Sequence, residues 1–226
     1  MDQRDPSLGY RLAEVDIPEW LLPVARGVQD VRGSDLTRFL PPPAGGRPSA
    51  VLMLLGEGPR GPDLLLIERA LDLRAHAGQP AFPGGALELG DAGPIDAALR
   101  EAQEETGLEP TGVAPFALLP DLWVPVSDYV VTPVMAWWRQ PSPIRAADET
   151  EVASVHRVPI AELADPARRM RVRHPSGYVG MGFEVAGLLV WGFTAGLIGG
   201  LLDLAGWSRP WDPDRIVDLP TGAGLT

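Results

Sequence analysis

Residues 84–108, GGALELGDAGPIDAALREAQEETGL, restrict the fold of this chain more than any other stretch. Two glycines follow Phe82 and Pro83, Pro94 stands where a first helical turn tolerates it, and Ala97, Ala98, Leu99, Arg100, Ala102 and Gln103 are strong helix formers. Gly107 then supplies a stop. The segment is therefore predicted as loop, helix over Ile95–Thr106, and stop. Glu101, Glu104 and Glu105 fall three and four residues apart, so their carboxylates lean toward one patch of helix surface. Like charges at that spacing repel by a few tenths of a kcal/mol per pair, and a hard dication is the simplest species that reverses the sign. An acidic helix face is often merely solvated. The glycine turn beside this one argues for more, because its backbone can approach an ion or a phosphate closely and offer a carbonyl oxygen.

The spacing resembles the Nudix hydrolase signature: a glycine, five residues, a glutamate, seven residues, then R-E-hydrophobe-x-E-E-x-G-hydrophobe. Here Gly85 is followed by five residues and Asp91, then by eight residues and the block Arg100, Glu101, Ala102, Gln103, Glu104, Glu105, Thr106, Gly107, Leu108. An aspartate replaces the first glutamate and the spacer is one residue longer. Upstream, residues 65–85 read LLIERALDLRAHAGQPAFPGG, with Arg69, Ala70, Arg74, His76, Gly78, Gln79, Phe82, Pro83, Gly84 and Gly85 in place for the second motif of the coenzyme A pyrophosphatase branch. That branch commonly carries the aspartate and the longer spacer as well. Ile67 stands where the motif usually has a threonine, so one hydroxyl contact is absent.

The resemblance implies an α/β fold, the Nudix α/β/α sandwich with a mixed sheet between helices. It also implies metal-dependent cleavage of a diphosphate, with coenzyme A or a thioester giving 3′,5′-ADP and a 4′-phosphopantetheine product. Mg2+ or Mn2+ suits oxygen ligands, and the implied set is Glu101, Glu104, Glu105 and the Gly85 carbonyl. Metal binding would stabilise charge on phosphoryl oxygens and acidify a bound water. The base that takes its proton is either a helix glutamate or an acid on a later loop, Glu149 or Glu151. Glu151 is favoured, because E-V-x-x-V leads into an expected strand and a short P-I-A-E-L helix. Arg100 is expected to orient the neighbouring glutamates.

Arg69, Arg74 and His76 make a local basic spot in a chain of net charge -11. Arginine's planar fork suits phosphate, and coenzyme A carries a 3′-phosphate besides its diphosphate. His76 is as well placed for a loop contact as for a phosphate, and no second histidine lies at metal-ligand spacing. Other nucleoside diphosphate derivatives, such as ADP-ribose, dinucleoside polyphosphates or NADH, are alternative substrates. A non-hydrolysing nucleotide sensor is disfavoured by the presence of all three helix glutamates. Dimers are frequent in the family, so a homodimer is a further expectation.

Composition excludes several chemistries. Cysteine is absent and all 19 basic residues are arginine, so disulfides, thiolate zinc sites, cysteine nucleophiles, Schiff bases and a P-loop lysine are ruled out. The acidic balance argues against nucleic acid as a partner. Residues 1–10, MDQRDPSLGY, lack a signal-peptide pattern, making the cytoplasm the expected compartment. Residues 185–202 carry no charge over 18 positions, long enough to raise a membrane span. Their pattern instead divides into a strand over 181–191 and a helix over 193–205.

The remaining pattern predicts an N-terminal arm and proline-rich linker over 1–48, with a short helix near 17–27, then a catalytic domain over 49–206 and a tail over 207–226. Strands are expected at 50–55 and 63–68, joined by the turn GEGPRGP, and at 112–119, 129–138 and 152–158, with a short helix at 160–163. Trp123, Tyr129, Trp137 and Trp138 suit a cleft wall or, more commonly, the core.

Overall fold

The computed structural model describes residues 5–12, 15–71 and 76–219. Its spine is the central strand Arg47–Gly58, which runs parallel to Tyr129–Trp138 and antiparallel to Gly61–Arg69. Val113–Leu118 and Tyr10–Arg11 extend the sheet on one side, and Val152–Pro159 pairs along Gly61–Arg69 on the other. Gly84–Ala86, Pro80–Ala81 and Leu122–Val124 complete nine strands. The sheet is therefore mixed, as expected.

Alternation along the central strand decides what covers each face. Ala50, Leu52 and Leu54 pack with Leu65 against Ala97, Ala98 and Ala102 of the helix Pro94–Thr106. Met53 and Leu55 point the other way, with Leu64 and Leu66, into a core shared with Leu21, Val24, Val28, Phe183, Ile198 and Leu201. Helices cover both faces, giving the α/β/α layering.

Several expectations are corrected. The turn between the first two long strands is only Pro59–Arg60, because Gly58 pairs with Gly61, whose φ of 90° closes a tight hairpin. Residues 181–191 are not one strand. Val179–Val185 and Leu188–Trp191 pair antiparallel about Ala186 and Gly187, both left-handed, with φ of 52° and 78°. Together with Arg169–Arg173, which the sequence reading missed, they build a second sheet of four strands. Its fourth strand is Ile216–Asp218, so residues assigned to a tail add to a sheet, and residues 220–226 lie outside the described part. The arm is likewise no appendage: the turn Glu19–Leu21 and helix Leu22–Gly27 feed Leu21 and Val24 into the core. Trp138 is buried, Trp137 meets Trp20 edge-on, and Trp123 donates to Asp128, so these rings form no common cleft. Among the described residues no helix is long and apolar enough to cross a membrane.

Candidate active site

The helix Pro94–Thr106 has the predicted boundaries to within a residue, ending at Gly107 with φ 67° and an N–H donated to the Gln103 carbonyl (2.8 Å). Its alanine face allows close approach to the sheet, and the same face, continued by i+3 and i+4 steps, carries Glu101 and Glu105. Those two carboxylates are pressed against the strand Gly84–Ala86. The Gly84 N–H donates to Glu105 Oε2 at 2.9 Å, and a Cβ on Gly85 would overlap the Glu101 carboxylate. A Cβ on Gly84 would instead strike the central strand at Ala50 and Val51. The two glycines are thus required by two different neighbours.

Arg100 locks the arrangement from the outer side. Its Nε and Nη2 donate to the two oxygens of Asp91, each at 3.1 Å, and Nη1 donates to Glu101 (3.0 Å) and Glu104 (3.1 Å). Nη2 also reaches the Ala86 carbonyl at 3.1 Å. Of the neighbouring glutamates that Arg100 was expected to orient, Glu101 and Glu104 accept its hydrogen bonds. The partner role of Asp91 was not anticipated, although an aspartate at the signature's displaced acidic position was the available signal. The guanidinium holds the Asp91 carboxyl below the ordinary carboxylate range, with the Glu88 N–H adding to the effect.

The three helix glutamates are not equivalent. Glu105 is 2% exposed and Glu101 15%, whereas Glu104 is 59% exposed and turned along the helix toward Arg100. Among the described residues, no three Asp, Glu, His or Cys side chains already converge as a metal cage. What converges is a pair, Glu101 and Glu105, with the charge of Glu151 acting on both. Glu151 stands at the start of Val152–Pro159, fixed there because its carbonyl accepts the Ala70 N–H at 2.8 Å.

Arg69 approaches from the same side, its Nη1 3.6 Å from Glu105 Oε1. The pairing register shifts between Glu68 and Arg69, a bulge of the kind that re-aims a side chain at a strand end. His76, with φ 57°, closes a turn in which Nδ1 lies 3.0 Å from Gln79 Oε1, while the Arg69 carbonyl accepts the Gly78 N–H. The imidazole is thus engaged within the turn. Arg74 lies outside the described residues. Ile67, in the usual threonine position, is buried in the sheet opposite Ala81 and Val155.

Burial pushes the Glu105 carboxyl up to about 8, with Glu101 and Glu151 adding to the rise and the Gly84 N–H and Arg69 opposing it. Burial also raises Glu101, against the pull of Arg100. Glu105 Oε1 is buried with no hydrogen-bond partner among the described residues. A buried carboxylate oxygen with no hydrogen bond, held only by the Arg69 charge at 3.6 Å, beside a second carboxylate and within the field of a third, is a donor set that fits a hard dication.

Residues 46–177 match the NUDIX domain family. This chain belongs to the Nudix hydrolase family. It is 39% identical over 163 residues to the Nudix hydrolase NudL of Shigella flexneri serotype 5b (strain 8401), covering 69% of this chain and 81% of that one. To NudL of Escherichia coli (strain K12 / DH10B) it is 40% identical over 159 residues, covering 67% and 79%. The crystal structure of RenU, a Nudix hydrolase from M. smegmatis, matches with a TM-score of 0.50 at 18% identity, covering 77% of this chain and 98% of that one. At that identity the likeness concerns the fold alone. As a Nudix hydrolase, the chain acts on phosphoanhydride bonds, in a family that generally uses divalent cations.

Proposed function

We propose that this Nudix hydrolase cleaves the diphosphate bridge of coenzyme A or its thioesters, releasing 3′,5′-ADP and 4′-phosphopantetheine or its acyl form. The observation that carries the proposal is the meeting of the two sequence motifs in space: Arg69, from the upstream motif, reaches Glu105 of the helix, which itself accepts the Gly84 N–H of the strand Gly84–Ala86, a segment the sequence had suggested as a turn. A guanidinium beside the carboxylates supports a contact to a phosphate oxygen of a substrate lying over that strand. Arg74 and His76 follow in the same motif and belong to the same proposed phosphate-binding set.

Mg2+ or Mn2+ would be held by Glu101 and Glu105, with Glu104 and the Gly85 carbonyl completing the set, and when bound it supplies charge neutralisation and an acidified water. Arg100 keeps Glu101 and Glu104 from swinging free by tying both to Asp91. Glu151 shares its field with the helix pair and is attached to the strand end that carries Arg69, so it is the group proposed to accept the water's proton. A cytoplasmic location and a homodimer complete the proposal.

The purified chain with Mg2+ or Mn2+ should turn over coenzyme A faster than ADP-ribose, dinucleoside polyphosphates, NADH or nucleoside triphosphates. Faster turnover of any of the others overturns the substrate assignment and leaves the family intact. Glu101→Gln should lose several orders of magnitude in kcat, and unchanged activity would refute the ligand set.

A further inference from the structure

At the end of the sheet remote from the glutamates, a cavity of about 420 Å³ opens between Arg60 at the hairpin turn, the helix Ile160–Leu163, and the chain leaving the C-terminal helix at Trp207–Arg209. Pro62 lines this cavity and Arg69 marks the glutamate site, seven residues along the same strand, which at ~3.3 Å per residue separates the two by roughly 20 Å. One wall is aromatic. The rings of Trp20 and Trp207 lie 5.8 Å apart at 39°, and Trp20 is fixed by donating its indole N–H to Glu57 at 2.8 Å. Ile160 and Ala164 are apolar lining, and Arg60 and Arg209 add two cations in a chain of net charge -11.

A third, buried cation bonds to a residue of the cavity lining. Arg169 is 5% exposed, and among the described residues its Nε has no hydrogen-bond partner and its guanidinium makes no ion pair. The rings of Trp211 and Phe183, at 4.8 and 5.7 Å, and the more distant charge of Asp203 face it instead. A buried guanidinium without a paired carboxylate is costly, and ring faces offset only part of that cost. Its Nη1 donates to Ser208 Oγ at 2.8 Å, and Ser208 lines the cavity. A hydroxyl that accepts from a guanidinium keeps its own O–H to give, so Ser208 offers the cavity a polarised donor.

We infer that this cavity is a second ligand site, for an anion carried on a planar ring, of which a nucleoside monophosphate is the simplest example. The ring lies against Trp207 and Trp20, and the phosphate lies between Ser208, Arg209 and Arg60. Arg60 already stands 3.5 Å from Glu162, so the ligand shares that cation while Arg209 makes no ion pair among the described residues. The inference is independent of the hydrolytic assignment.

The test uses the full chain carrying Glu101→Gln, without divalent cation, titrated with AMP, adenosine and inorganic phosphate while tryptophan fluorescence and binding heat are followed. AMP should bind saturably, quench fluorescence, and bind at least about tenfold more tightly than either fragment, because both halves of the site are engaged. Arg209→Ala and Ser208→Ala should each weaken AMP by about fivefold or more. Arg209 is exposed, so its removal leaves the core intact. No saturable binding, equal affinity for AMP and phosphate, or unchanged AMP affinity in a folded Arg209→Ala protein overturns the inference.

Discussion

The side chains around Gly84 and Gly85 are held in a costly arrangement, and its cost predicts pH behaviour. Glu105 is pushed up to about 8 from the ordinary 4.5, chiefly by burial. The folded protein therefore retains a proton that the unfolded chain releases above the ordinary value. Stability falls as pH rises from about 4.5 to about 8 and levels off beyond, because the native state must then bury the charge. In metal-free protein, Glu105→Gln should remove this slope, leaving the variant more stable than the parent above pH 8 by an amount on the order of a few kcal/mol. Urea unfolding across that range measures it, and a parental slope that persists in the variant would refute the assignment. A dication competes with the same proton, so apparent Mn2+ affinity should climb through the window. Asp91 acts at one remove: Asp91→Ala strips Arg100 of its two-point anchor, and activity should fall roughly 10–100-fold, the scale typical of losing a group that orients a ligand. Steady-state kinetics with a metal titration would show whether the loss tracks metal occupancy.

At the scale of elements, the helix Pro94–Thr106 acts as a spacer whose small residues set how far the carboxylates stand from the strand Gly84–Ala86. Ala98 and Ala102 are fully buried against Ala50, Leu52 and Leu54. Ala102→Leu should cost about 1–3 kcal/mol by overpacking and should also reduce kcat, since moving the helix outward pulls Glu101 and Glu105 from Gly84 and Gly85. Retained activity in a destabilised variant would separate the two effects and contradict the spacer argument. This helix was the most legible part of the chain, because a start residue, an alanine run and a left-handed glycine stop all agree over a few local residues. The pairing of Arg69 with Glu105 was not legible, since it depends on a bulge and a contact across 36 positions. Likewise, the sharing of one Arg100 nitrogen by Glu101 and the outward-facing Glu104 is a side-chain detail that spacing alone does not reveal. The hairpin at Ala186–Gly187 was hidden because an uncharged apolar run looks continuous and alanine, the first turn residue, gives no sign of its left-handed conformation. Arg169–Arg173 was missed because its arginines masked Met170 and Val172, which alternate inward.

For the molecule as a whole, the segment that identifies the family is shorter than the segment that folds. The family match spans 46–177, yet the face of the sheet formed by Met53, Leu55, Leu64 and Leu66 is covered by Leu21, Val24 and Val28 from before it and by Phe183, Ile198, Leu201 and Leu202 from after it. Each of these seven covering side chains is fully buried. At about 1.5–3 kcal/mol apiece their removal forfeits more than the lower end of the 5–15 kcal/mol by which domains are stable. Exposing the sheet face also creates an apolar patch of the kind that drives association. A fragment limited to 46–177 should therefore lack a cooperative urea transition and near-ultraviolet dichroism, and should self-associate even though it retains all three helix glutamates. Extending it to 15–208 restores both covering layers and should restore the transition. A cooperative, monomeric 46–177 fragment would mean that the flanking layers decorate an already sufficient core.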